Sequence, residues 1–150
     1  MALTYPWKVL RPDPLKLLEQ THECGETRTE SWWPVAVSSN ALVKADTEGD
    51  AIKGVAPPAT VTGADDDVVI IADDVVYRVQ LKTGENPNLD DYVMISDGAD
   101  GSVAVLAAPS APGTNYACGQ VVDYDPASGG ICHIAPVFHA GTVTAVNSGT

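Results

Sequence analysis

Basic residues are scarce in this chain. Eight Lys and Arg stand against 20 Asp and Glu, so the formal net charge is −12. No local run of Lys and Arg offsets this charge. Direct binding to nucleic acid or to an anionic membrane surface is therefore not expected. Aromatic residues are also few, with three Trp, five Tyr and one Phe, so the core must be built mainly from Val, Ala, Ile and Leu. Three cysteines make an odd set without disulfide-framework spacing, which predicts reduced, partly buried thiols. No apolar run approaches the ~20 residues of a membrane-spanning helix. The first residues lack the basic start and apolar stretch of a secretory signal, so the expectation is a protein made in a cytosol. The acidic excess is read either as keeping a concentrated or displayed protein soluble, or as matching a basic partner.

What is present is a train of short strands. The 150 residues are enough for one ordinary domain plus an extra segment. From residue 34 the apolar period is 2. Strands are predicted over residues 34–37, 41–45, 52–56, 68–72 and 74–81, then over 92–96, 102–107, 116–124 and 131–137. In the fifth of these, Val75, Tyr77, Val79 and Leu81 fall on one face, and Val76, Arg78 and Gln80 on the other. The runs 97–101 and 125–130, rich in Asp and Gly, read as hairpin turns. The prediction is an all-β fold: a small barrel or sandwich of short antiparallel strands over residues 34–140, with a tail over 141–150.

The first 33 residues differ. They hold all three tryptophans and four of the eight basic residues, Lys8, Arg11, Lys16 and Arg28. Their prolines predict an extended N-terminal arm over residues 1–33. One short helix is expected at about 14–20, with Asp13 as cap and Pro14 in its first turn. Such a helix is marginal alone and needs something to pack on. Tyr5, Trp7, Leu10, Leu15, Leu17, Leu18, Trp32 and Trp33 are the candidate interface anchors of this arm; the alternative is that the aromatics cap an open end of the barrel.

Candidate chemistry is thin. Asp65–Asp67 and Asp73–Asp74 could ligate a divalent cation, but they also bracket an apolar run as solvated strand ends. The Asp97–Gly101 run lacks the spacing and the closing glutamate of a calcium loop, so the turn reading is preferred. His22, Cys24, Cys118, Cys132 and His133 do not carry zinc-ligand spacing, and adjacent Cys132 and His133 should point to opposite faces of a strand. His139 has no partner suggested by the sequence. There is no nucleophile elbow, phosphate loop or dinucleotide fingerprint. No metal, no cofactor and no enzymatic activity are expected.

The segments Asp91-Tyr92-Val93, Asp100-Gly101-Ser102-Val103, Gly119-Gln120-Val121-Val122 and Ser128-Gly129-Gly130-Ile131 together resemble the decoration (cement) proteins of tailed-phage heads that have a small β-barrel or β-tulip domain. The resemblance implies a homotrimer on the outer surface of an expanded icosahedral capsid, at local three-fold positions. Its partners would be the major capsid protein and itself, and it would brace the shell against packaged DNA. It would be made in the host cytoplasm and end in the virion. Two alternatives are another β-barrel virion module, such as a head-fibre base or a receptor- or glycan-binding domain, and a small β-scaffold enzyme.

Overall fold

The computed structural model describes residues 6–11, 19–23, 25–26, 32–56, 66–70, 75–138 and 143–149. Among these residues, thirteen strands account for nearly all of the regular structure: β1 (Trp7–Arg11), β2 (Glu19–Glu23), β3 (Trp33–Ser38), β4 (Ala41–Lys44), β5 (Gly54–Ala56), β6 (Asp66–Ile70), β7 (Val76–Gln80), β8 (Tyr92–Ile95), β9 (Val103–Val105), β10 (Gly113–Tyr116), β11 (Gly119–Tyr124), β12 (Ile131–Pro136) and β13 (Thr144–Asn147).

 The single helical element among the described residues is a 3₁₀ turn over Pro126–Ser128, capped by the Asp125 carboxylate, which accepts from the Ala127 N–H. The fold is all-β, and its strand pairs are antiparallel.

Alternation explains which residues form the core. In β7, Tyr77 and Val79 are fully buried and Val75 and Leu81 nearly so, while Val76, Arg78 and Gln80 are half-exposed. β12 repeats the pattern, with Cys132 and Ile134 inside and Ile131, His133 and Ala135 outward. A period of 2 buries one face of each strand and leaves the other to solvent or to a partner.

The strands form a six-stranded sheet in the order β1-β7-β12-β11-β8-β9, a five-stranded sheet in the order β2-β6-β5-β3-β4, and the ribbon β10-β13. The larger sheet closes on itself. Beyond the end of β7, Leu81 bridges Val103 of β9, and the Lys82 N–H donates to the Val103 carbonyl at 2.8 Å. The five strands from β7 round to β9 thus make a small barrel, with β1 attached outside the closure along β7. In the second sheet the two ends approach, because the Gly25 N–H, just past β2, donates to the Leu42 carbonyl of β4 at 2.7 Å. The β3–β4 hairpin turns through Ser39 and Asn40, both at positive φ (52° and 64°), the geometry of a tight two-residue hairpin loop.

One core joins the sheets. Trp7, Val9, Tyr77, Val79, Val93, Ile95, Val121 and Ile134 of the barrel sheet pack with Ala45, Ile52 and Val55 of the other region. Trp7, Tyr77 and Phe138 pack there at steep ring angles, with Trp7 and Tyr77 edge to face at a centroid distance of 5.4 Å and Tyr77 and Phe138 at 5.8 Å.

Here the structure corrects the arm. Two sheet strands, β1 and β2, lie within residues 1–33, and β1 delivers Trp7 to the core. The physical reason is the pairing with β7, which buries Trp7 and Val9 and leaves Lys8 and Leu10 exposed. Of the helix expected over 14–20, Glu19 and Gln20 are in strand and pair with Ile70 and Val69 of β6. Its remaining residues lie outside the described ones. The tail also holds a strand, β13, paired with β10.

Candidate interaction surface

The expected anchors separate into distinct environments. Trp7 has no exposed surface, and its indole N–H donates to the Gly101 carbonyl at 3.0 Å. Trp32 is partly buried against the same core, and its carbonyl accepts from the Trp7 backbone N–H at 3.2 Å. Trp33 is half-buried on β3 with the Lys44 ammonium 5.7 Å from its ring centroid. Its buried indole N–H has no acceptor among the described residues. Leu10 remains on the surface, at 38% exposure. Tyr5, Leu15, Leu17 and Leu18 lie outside the described residues. Trp7 thus belongs to the fold's interior, because β1 pairs with β7 and turns its Trp7 and Val9 side chains into the core.

The surface that does stand out is the outer face of β1, β7, β12 and β11. Strand register puts four ionisable side chains in one row across it. Lys8 pairs with Arg78, Arg78 with His133, and His133 with Asp123. Lys8 and Asp123 are exposed at the two ends; Arg78 and His133 are half-exposed between them. The His133 Nδ1 lies 3.6 Å from an Asp123 carboxylate oxygen. The buried Nε–H of Arg78 has no hydrogen-bond acceptor among the described residues.

Apolar side chains flank this row. A register shift between Val121 and Asp123 inserts Val122 as a bulge in β11, leaving it 47% exposed beside Asp123. Such a bulge re-aims side chains without breaking the sheet. Leu10, Val76, Ile131 and Ala135 complete the face. Beyond it, the β11–β12 turn shapes two shallow clefts on either side of Tyr124. One, of about 130 Å³, is lined by Asp123, Asp125, Ser128, Ile131 and His133. The other, of about 240 Å³, runs between Gln80–Glu85 and Gly129–Gly130.

The remaining candidates are structural where they are described. Asp100 accepts from the Ser102 N–H at 3.0 Å and from the Ser102 hydroxyl, and the Ser102 hydroxyl meets that of Ser96 at 2.7 Å. The carboxylate is therefore spent on the β8–β9 turn. Cys118 and Cys132 are buried, free thiols. Burial pushes Cys132 up to about 12, and burial, reinforced by Cys132, pushes Cys118 still further above the ordinary thiol range. Such thiols are poor nucleophiles and poor metal ligands. No group of three His, Cys, Asp or Glu able to hold a metal occurs among the described residues. No described helix is long and apolar enough to cross a membrane. Cys24, Asp65, Asp73, Asp74 and His139 lie outside the described residues, as do the side chains of His22, Asp66 and Asp67.

Sequence reasoning missed the row because alternation places Arg78 on an outer face but does not say which strands flank it. Only the register brings Lys8, His133 and Asp123 into line. The molecule is thus an antiparallel all-β protein whose most distinctive surface is an amphipathic sheet face. The sequence matches no known family model and no curated protein.

Proposed function

We propose that this chain is a structural virion protein that binds the outer surface of an expanded phage capsid and stabilises it. The observation that carries the reading is where the four family-like segments fall. Asp91-Tyr92-Val93 opens β8, Asp100–Val103 turns into β9, Gly119–Val122 opens β11, and Ser128–Ile131 turns into β12. The segments that carry the resemblance are therefore the strand starts and turns of the closed barrel. A closed barrel suits a structural role, and many weak contacts repeated over a shell add through multivalency. The partner in this reading is the major capsid protein.

The test is co-sedimentation of the purified protein with bare expanded capsids and, separately, with unexpanded procapsids from the same source. Saturable binding to expanded shells alone is expected. Absence of binding to both shells rejects the reading.

The clefts beside Tyr124 favour a second reading, a glycan-binding virion module. An aromatic ring next to Asp123, Asp125 and Gln80 offers both stacking and hydrogen bonds to a sugar. A glycan array with the wild-type chain and Tyr124→Ala checks it; signal lost in the variant is the expected result for that reading.

A further inference from the structure

We infer that the outer face of β1-β7-β12-β11 is a two-fold contact between copies of this chain. The reasoning starts from the polarity of the face. Its β1 side is basic, with Lys8 exposed and Arg78 next to it. Its β11 side is acidic, with Asp123 on the strand and Asp125 beyond it. Apolar Leu10, Val76, Ile131 and Val122 lie between and around the charged ends.

A face that is basic at one end and acidic at the other is complementary to itself under one rotation. Two copies packed face to face are related by a two-fold axis lying in the plane of contact. An axis running along the strands, between β7 and β12, brings β1 of each copy over β11 of the other. Lys8 then meets Asp123 of the second copy, twice over, and Arg78 meets the second copy's His133. An axis running across the strands would instead put Lys8 on Lys8 and Asp123 on Asp123, which repels. The charges therefore select the first arrangement. They also select the occupant: each chain carries a net charge of −12, so a second copy is repelled by most of the surface and is attracted where its Asp123 edge meets Lys8.

The area sets the strength. Four strands about 4.8 Å apart and about five residues long present roughly 300 Å² per copy. A standard stable interface takes about 800 Å² per partner. The contact is therefore weak and reversible, formed at high local concentration. It does not depend on the capsid reading, and it differs from the three-fold assembly that the family resemblance implies.

The experiment is sedimentation velocity of the full chain from about 1 μM to about 1 mM, the range in which weak contacts of this size associate. A monomer–dimer equilibrium that weakens with added salt is expected. Lys8→Glu and Asp123→Lys should each weaken dimerisation about tenfold, because both symmetric pairs turn repulsive. The double variant Lys8→Glu/Asp123→Lys should restore it. Val122→Asp, at an exposed apolar position, should abolish it with an unchanged circular dichroism spectrum. A monomer or a trimer across the whole range overturns the inference, as does a double variant that fails to recover. Capsid co-sedimentation is read separately, so a dimer that ignores capsids rejects the proposed function and leaves this contact standing.

Discussion

The indole N–H of Trp7 donates to the carbonyl oxygen of Gly101 at 3.0 Å, across 94 positions of sequence. This bond ties β1 to the β8–β9 turn from inside the core. It also makes Trp7 a stability residue. Trp7→Ala should cost about 3–5 kcal/mol, the range for deleting a buried aromatic side chain. Trp7→Phe should cost less, since it keeps part of the packing and loses the hydrogen bond. Urea unfolding followed by circular dichroism measures both. An arm residue would leave the unfolding midpoint unchanged on either substitution.

Gly101 supplies the other half of the contact. Its φ is +76°, and a Cβ there would lie 2.9 Å from the ring of Pro6. Gly101→Ala therefore meets both a disfavoured backbone and a steric block. A loss of about 1–3 kcal/mol is expected, read as a lower thermal midpoint.

Tyr77 lies in the core with its hydroxyl buried and without a hydrogen-bond partner among the described residues. An unpaired buried hydroxyl contributes a desolvation cost and no compensating bond. Tyr77→Phe should leave stability unchanged or raise it by up to about 1 kcal/mol. Urea titration of the two proteins in parallel decides this; a clear loss would reveal a partner for the hydroxyl.

Alkaline pH should destabilise the fold. Cys132 is pushed up to about 12 by burial, Cys118 is raised further, and the buried Tyr77 hydroxyl is also raised above its ordinary range. In the unfolded chain the thiols ionise from about 9.0, while in the folded chain they stay protonated. The unfolded state thus holds fewer protons above that pH, so stability is full below it and falls as pH rises. The slope is about 1.4 kcal/mol per pH unit for each group that differs. Unfolding midpoints between pH 8 and roughly pH 10.5 should show the decline. Cys118→Ala and Cys132→Ala should each flatten it, whatever they do to stability at neutral pH.

Much of the fold was legible in the sequence. The alternation Val75, Tyr77, Val79, Leu81 against Val76, Arg78, Gln80 marks β7 and its two faces, because a half-buried strand leaves a period of 2. The turn at Asp97–Gly101 is marked by residues that favour tight turns. β2, by contrast, reads Glu19-Gln20-Thr21-His22-Glu23, with no apolar side to betray a strand. Its pairing with β6 is a tertiary effect. β1 was hidden differently: Pro6 and Pro12 suggest an extended connection, and only the pairing with β7 distinguishes a strand from an arm. The interaction face was legible one strand at a time, as outward residues. Its charge polarity depends on register, and the bulge at Val122 that sets Asp123 opposite His133 has no turn residue to announce it.

The bridge between Leu81 and Val103, together with the bond from Trp7 to Gly101, has a kinetic meaning. The barrel is sealed by residues far apart in the chain, and its first strand is secured by a turn that is synthesised much later. Chains dominated by such distant contacts fold slowly, because loop-closure entropy is lost before the contacts compensate for it. A nascent chain carrying β1 alone holds Trp7 and Val9 exposed until β7, β8 and β9 have emerged. The residues that most stabilise the finished protein are the ones left longest without cover while it is being made.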